Sequence, residues 1–147
     1  ELRPGDPWEL ATDTGPVIDI AAAAHFAAYI DKARSEGRLV KQLPATACKN
    51  YIAPAVIKVE GIADLKEEIF GPVLHVASFQ AGEINAVVAQ INASGFGLTF
   101  AVHSRIDDRI QQIIDSLEVG NIYVNRNQVG AVVGSQPFGG EGLSGVL

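Results

Sequence analysis

Segments with helical periodicity alternate with short apolar runs along this chain, and this alternation restricts the possible folds more than any other feature of the sequence. The helical segments begin near residues 19, 84 and 104, and a glycine follows each of them. The apolar runs with the length of strands are residues 39–40, 51–59, 73–79, 98–103 and 121–125. Helices and strands in this order favour an α/β fold with a mostly parallel sheet and flanking helices.

The clearest helix begins at Asp19, whose side chain can cap it. Phe26, Ile30 and Ala33 follow at i, i+4 and i+7 and predict its buried face. Gly37 provides a left-handed end to the helix.

Several details of the other elements can also be predicted. Pro54 predicts that the second apolar run lies at a sheet edge or contains a bulge. The nearly continuous run 73–79 predicts a strand covered on both faces. Ser104 and Asp107 have the spacing of a capping box, and Gly120 is expected to end the helix that they start. The chain after residue 125 is expected to be loop.

The composition favours one globular domain, because 48% of the 147 residues are hydrophobic and 19% are charged. The formal net charge of -6 argues against nucleic-acid binding. No apolar run reaches the roughly 18–20 residues of a membrane span, and the N-terminus has no signal-peptide pattern, so a soluble, cytoplasmic protein is expected. The absence of methionine from a chain that starts at Glu1 predicts a piece of a longer protein.

Residue types that often carry catalysis do not form a complete site in this sequence. His25, His75 and His103 lack the short spacing of metal ligands, so they are interpreted as core or surface residues, and no metal site is expected. Cys48 is the only cysteine and has no helix N-terminus after it to activate its thiol. It is interpreted as a structural or incidental residue that forms no internal disulfide.

The segment from Glu67 to Pro72 places two carboxylates and an aromatic ring before an apolar run. Glu68 could accept hydrogen bonds from sugar hydroxyls, and Phe70 could pack on a flat ring. The alternative interpretation is solvated surface charge, and the spacing by itself favours that alternative.

The tail from Asn125 to Gly145 is polar and rich in glycine. Its backbone amides could approach an anion closely because glycine has no Cβ, and Phe138 would present a ring beside Gly139 and Gly140. No G-x-G-x-x-G stands between a strand and a helix, so these glycines predict no dinucleotide phosphate site. A plain surface loop is the alternative interpretation.

Four motifs resemble the aldehyde dehydrogenase superfamily in order and spacing. They are residues 67–73 (EEIFGPV), 92–98 (NASGFGL), 120–125 (GNIYVN) and 137–140 (PFGG) with Ser144 and Gly145. Residues 124–138 are similar more narrowly to the L-glutamate γ-semialdehyde (pyrroline-carboxylate) dehydrogenases, as in the dehydrogenase domain of bifunctional proline-utilisation proteins. The resemblance covers the whole chain. It implies that residues 1–147 are the C-terminal portion of such a domain, with residues 126–147 as the substrate-loop tail.

The resemblance implies an NAD-dependent oxidoreductase. In this family a cysteine forms a thiohemiacetal with the aldehyde, hydride passes to NAD, and the resulting thioester is hydrolysed. Cys48 does not match the family's nucleophile motif, which lies upstream of the matched region. The chain alone is therefore expected to be inactive and to contain no catalytic nucleophile.

The resemblance also assigns roles to five residues. Glu68 matches the carboxylate that holds the nicotinamide ribose hydroxyls, and Phe70 matches the ring that contacts the nicotinamide. Gly130 and Ala131 match the loop whose backbone amides anchor the substrate's α-carboxylate, and Phe138 matches the aromatic residue that packs on its aliphatic chain.

The leading hypothesis is a segment of an enzyme that oxidises L-glutamate γ-semialdehyde to L-glutamate in proline catabolism. Its expected partners are the small-molecule aldehyde and the remainder of the parent dehydrogenase, which could form a homo-oligomer. Two alternatives stay open: an aldehyde dehydrogenase-like domain with a different aldehyde substrate, and one with a non-catalytic, structural role.

Overall fold

The computed structural model describes residues 2–44, 50–128, 134 and 138–145. Helices and sheets are combined as an α/β fold, which confirms the predicted fold class. The chain divides into two compact units, Glu1–Ser78 and Phe79–Leu147. No helix among the described residues is long and apolar enough to cross a bilayer.

The first unit contains one long helix and three short strands. These elements are α1 (Ile20–Ser35), β1 (Leu39–Gln42), β2 (Ala55–Lys58) and β3 (Val73–Val76). The strands form one sheet in the order β1, β2, β3, in which β1 is antiparallel to β2 and β3 is parallel to it.

The core of the first unit lies between α1 and this sheet. Ile30 and Ala33 from the helix meet Ala55 and Ile57 from β2, and all four are buried. Burying an isoleucine side chain stabilises a fold by about 1.5–3 kcal/mol, so these contacts hold α1 firmly on the sheet.

Helix α1 follows its sequence signals at both ends. The Asp19 carboxylate accepts a hydrogen bond from the backbone N–H of Ala22 at 2.7 Å, and Gly37 adopts a φ of 72°. Phe26, Ile30 and Ala33 are buried as predicted.

Two predictions for the strands of the first unit are wrong. Pro54 does not place its strand at an edge, because β2 begins after Pro54 and is the central strand. The predicted bulge is not on β2 either, because the register shift between the two strands lies on β1, between Leu39 and Lys41. The Pro54 carbonyl instead accepts the N–H of Leu43 at 3.0 Å. Strand β3 ends at Val76, and its alternate residues Leu74 and Val76 are exposed, so only one face is covered. The helix α1 packs on that one face of the sheet.

The second unit contains two helices and four short strands. These elements are α2 (Ile84–Ala93), β4 (Phe96–Gly97), β5 (Thr99–Val102), α3 (Asp107–Ser116), β6 (Asn121–Val124) and β7 (Glu141–Gly142). Strands β5 and β6 are parallel, and β4 and β7 are antiparallel. Its core combines Val88 of α2, Val102 of β5, and Ile110 and Ile113 of α3.

Three local predictions for the second unit are also wrong. The Ser104 hydroxyl accepts the N–H of Ile106 at 3.1 Å, and α3 begins at Asp107 without a side-chain cap, so no capping box forms. Helix α3 ends at Ser116, before Gly120. The tail after residue 125 is not all loop, because β7 pairs with β4. The described strands thus form three small sheets in which two of the four strand pairs are parallel.

A tyrosine and a histidine join α1 to β3. The hydroxyl oxygen of Tyr29 lies 2.8 Å from Nε2 of His75, and the two rings pack edge to face at 5.8 Å between centroids. Burial, and secondarily the positive charge of Arg38, lower the pKa of His75 below its usual value of 6.5. The Tyr29 hydroxyl and Nε2 of the neutral imidazole share one hydrogen bond, and the tautomer of His75 decides which of them donates.

This lowered pKa predicts a loss of stability in acid. As the pH falls below about 6.5, His75 takes up a proton in the unfolded state before it does so in the folded state. The free energy of unfolding therefore decreases with falling pH, until the pH is below the pKa of His75 in the folded state. Urea unfolding of the intact protein from ~pH 8 to ~pH 5 should show this decrease, and His75→Gln should reduce its slope. The matched control is His103→Gln at an exposed histidine, and an equal reduction by both variants would contradict the prediction.

Candidate functional site

The segment of residues 67–72, called here the acidic loop, leads directly into β3 and is held by three backbone hydrogen bonds. Gly71 donates its N–H to the Ile69 carbonyl, and Val73 donates to the Gly71 carbonyl, both at 2.8 Å. Ala55 of β2 donates its N–H to the Pro72 carbonyl at 2.9 Å. Two successive tight turns and a bond to the central strand therefore fix the end of the loop.

The acidic loop presents a carboxylate and an aromatic ring outward. Glu68 is exposed, Ile69 is half-buried, and Phe70 is 79% exposed. No hydrogen bond or ion pair joins the Glu68 carboxylate to another described residue. The carboxylate and the ring are both available to a bound molecule, although exposure also agrees with the alternative of solvated surface charge.

In the second unit, the described part of the tail, residues 138–145, packs tightly on its neighbours. Asn121 donates from Nδ2 to the Gly139 carbonyl at 3.1 Å. A Cβ on Gly120 would overlap that same carbonyl group. The absence of a side chain at residue 120 therefore allows the two backbone segments to approach each other.

Further along, the tail pairs with β4. Leu143 donates its N–H to the Gly95 carbonyl at 2.7 Å, and Gly97 donates its N–H to the Ser144 hydroxyl at 3.0 Å. Gly142 adopts a φ of 57°, which glycine tolerates best. These contacts tie the backbone of residues 138–145 to the strands of the second unit, while most of its side chains are exposed. Phe138, half exposed, begins this segment.

Asn125 organises the entrance to the tail. Its backbone N–H bonds to the Val102 carbonyl, and its side-chain amide both accepts from the N–H and donates to the carbonyl of Ser104, each at 2.9 Å. It also adopts a left-handed φ of 53°. An asparagine directly after a strand is a sequence signal for such a turn, although no role was predicted for Asn125.

Two further side chains follow Asn125 and had no predicted role. The Arg126 guanidinium lies 5.0 Å from the centroid of the Tyr123 ring, a cation–π arrangement. Gln128 donates from Nε2 to the Thr99 carbonyl at 3.1 Å. The chain is thus anchored to β5 and β6 up to residue 128.

The predicted site residues fall in different parts of the chain. Glu68 and Phe70 lie together in the acidic loop of the first unit, and Phe138 lies in the second unit. Gly130 and Ala131 lie outside the described residues, as does Cys48. Among the residues that are described, no group of three potential metal ligands occurs. The three histidines lie in α1, in β3 and immediately after β5.

The sequence matches the family model described as "Aldehyde dehydrogenase family" over residues 1–146. Bifunctional protein PutA of Escherichia coli is 49% identical over 99% of this chain and 12% of its own length. The 1-pyrroline-5-carboxylate dehydrogenase of Bacillus thuringiensis is 38% identical over 99% of this chain and 28% of its own length. The chain therefore spans only a minor part of the relatives that it matches.

Solved structures are similar over the same extent. A mutant of Bradyrhizobium japonicum proline utilization A (PutA) superposes with a TM-score of 0.93 at 49% identity, covering 99% of this chain and 15% of that protein. A 1-pyrroline-5-carboxylate dehydrogenase from Thermus with bound NAD superposes with a TM-score of 0.85 at 35% identity. The match covers 99% of this chain and 28% of that protein.

The tight approach at Gly120 predicts that a methyl group there will displace the tail. Gly120→Ala should lower the free energy of unfolding by about 1–3 kcal/mol, because the new Cβ overlaps the Gly139 carbonyl. It should also increase protease cleavage around Phe138. Gly82→Ala is the matched control, because a Cβ there meets no atom within 4 Å. Similar loss of stability and similar cleavage in both variants would contradict the prediction.

Proposed function

The chain belongs to the aldehyde dehydrogenase family, and we propose that it forms the C-terminal part of a catalytic domain that oxidises L-glutamate γ-semialdehyde to L-glutamate with NAD. The observation that carries this proposal is the similarity over 99% of the chain to proteins named PutA and 1-pyrroline-5-carboxylate dehydrogenase. The proposal places the protein in proline catabolism as a segment of a larger dehydrogenase.

The acidic loop suits the nicotinamide end of NAD. The two oxygens of the Glu68 carboxylate are acceptors without a partner among the described residues, and a ribose diol offers two O–H donors. The exposed Phe70 ring can contact a planar nicotinamide through its apolar surface. NAD, when bound, supplies the hydride acceptor. Glu68 and Phe70 orient it against the substrate.

The tail would contact the aldehyde substrate. Phe138 offers an exposed apolar ring to the methylene groups of the semialdehyde. The backbone amides of Gly130 and Ala131 would bind its α-carboxylate, since amides without bulky side chains can surround an anion. Asn125 and Gln128 hold the chain to its neighbours up to residue 128.

The nucleophile of the reaction would come from the rest of the parent protein. Covalent aldehyde oxidation needs a thiolate with activating surroundings, and Cys48 does not match the family's nucleophile motif. This chain supplies binding and orientation, and we expect the chain alone to be inactive.

The role of Glu68 is tested by Glu68→Gln in the intact parent enzyme. Glutamine keeps the size of the side chain but removes its charge and one acceptor, so a charge-assisted hydrogen bond to the ribose is lost. Hydride transfer in single-turnover kinetics should slow by about 10- to 100-fold, with little change in aldehyde binding. A larger effect on aldehyde binding than on hydride transfer would contradict the role.

The matched control is Glu67→Gln at the neighbouring carboxylate, which is also exposed. It makes the same change of charge one residue away and should leave hydride transfer within about twofold of the unmodified enzyme. An equal loss in both variants would indicate a general effect of loop charge and would overturn the specific contact.

The substrate is tested by comparing kcat/KM of the parent enzyme for glutamate γ-semialdehyde and for simple aliphatic aldehydes of similar length. An anchor for the α-carboxylate should favour the semialdehyde by at least about tenfold, because charge-assisted hydrogen bonds each contribute about 1.5–3 kcal/mol. Equal or higher values for the simple aldehydes would favour a different substrate. A folded parent protein that oxidises none of these aldehydes would instead favour the non-catalytic alternative.

A further inference from the structure

We propose that Phe26, on the buried face of α1, is a positioning residue for NAD, because its ring sets the location of Gly71 and through it that of Glu68 and Phe70. This inference rests on the proposed function of the acidic loop. It assigns a role in cofactor binding to a residue that lies far from the loop in sequence and does not itself touch the cofactor.

The ring of Phe26 is a fixed support. Phe26 is only 5% exposed, and the His25 ring packs edge to face against it at 5.6 Å between centroids. One turn further along α1, Ile30 is 1% exposed in the core with β2. The helix therefore cannot shift without disrupting that core, and the ring stays in place.

Gly71 lies directly on this ring. A Cβ built on Gly71 would lie 2.9, 3.0 and 3.0 Å from Cε2, Cδ2 and Cγ of Phe26. Nearly equal distances to three consecutive ring carbons place that position over the face of the ring and not at its edge. Gly71 does not have a left-handed φ, so the requirement for glycine here comes from the space that the ring occupies.

The position of Gly71 is transmitted to the rest of the acidic loop by its backbone. The Gly71 N–H bonds to the Ile69 carbonyl within a tight turn, so Phe70 at the centre of that turn follows any displacement of Gly71. Glu68 immediately precedes the turn. On the other side, Pro72 and Val73 are held to β2, so the loop can relax only towards Glu68 and Phe70.

The contact between Phe26 and Gly71 is tested in the intact parent enzyme by enlarging residue 71 and making residue 26 smaller. Gly71→Ala should raise the Kd of NAD, measured by calorimetry, by about 10- to 100-fold, because a displacement of about 1 Å has effects of this size. Phe26→Leu should raise it less. In the double variant that combines Gly71→Ala with Phe26→Leu, the smaller leucine side chain makes room for the new Cβ of residue 71. The Kd of NAD for this double variant should therefore be at least about threefold lower than for Gly71→Ala alone. The KM of the aldehyde should change by less than about twofold in all three.

Ile30→Val is the matched control for packing in α1. It removes a buried methyl group from the same helix without touching Gly71, so it should lower the Tm and leave the Kd of NAD unchanged. The proposal would be overturned if the effects of Gly71→Ala and Phe26→Leu on the Kd of NAD were additive. It would also be overturned if Ile30→Val raised the Kd of NAD in proportion to its decrease in Tm. Thermal unfolding of each variant identifies any that fails to fold, and Phe26→Met then replaces Phe26→Leu in the same comparison.

The proposed function can fail separately from this inference. If Glu68→Gln leaves hydride transfer and NAD affinity unchanged, then the acidic loop does not bind NAD and both ideas are wrong. If Glu68→Gln weakens NAD binding while Gly71→Ala and Phe26→Leu do not, then only the positioning role of Phe26 is wrong.

Discussion

Close packing of the backbone at glycine is the constraint on which the positions of the Phe70 and Phe138 rings depend. Phe70 is followed by Gly71, which lies against the Phe26 ring. Phe138 is followed by Gly139, whose carbonyl group occupies the space that a side chain on Gly120 would need. In each unit an exposed ring is thus attached to a backbone segment that cannot move towards its neighbour. A ring held in this way can contact a ligand with little loss of conformational entropy on binding.

The parts of the fold that depend on local sequence were predictable. Helix α1 begins and ends at its own signals, Asp19 and Gly37, and its buried face follows from the spacing of its apolar residues. Predictions were wrong at places where contacts with residues distant in sequence determine the local structure. Ser104 caps no helix: its hydroxyl accepts the N–H of Ile106, and its backbone bonds to Asn125, which is distant in sequence. Strand β7 pairs with β4, which is also distant in sequence.

The candidate site was predictable only in part for the same reason. The roles of Glu68 and Phe70 stay predictions that rest on resemblance to a family, since a pair of glutamates before an apolar run is more often surface charge. The contact of Phe26 with Gly71 joins residues that are far apart in sequence, and no local pattern indicates it. Asn125 could have been found from its position after a strand, because asparagine readily adopts the left-handed conformation.

The uncovered face of β3 has a consequence for work with this polypeptide. Leu74 is 60% exposed and Val76 is 36% exposed on the same side of a short strand, and Phe70 adds a further exposed ring just before it. Apolar side chains of this kind on a sheet favour association between copies and, during production in a host cell, accumulation in inclusion bodies. Recombinant preparations of this segment by itself would therefore be expected to need a solubilising fusion partner.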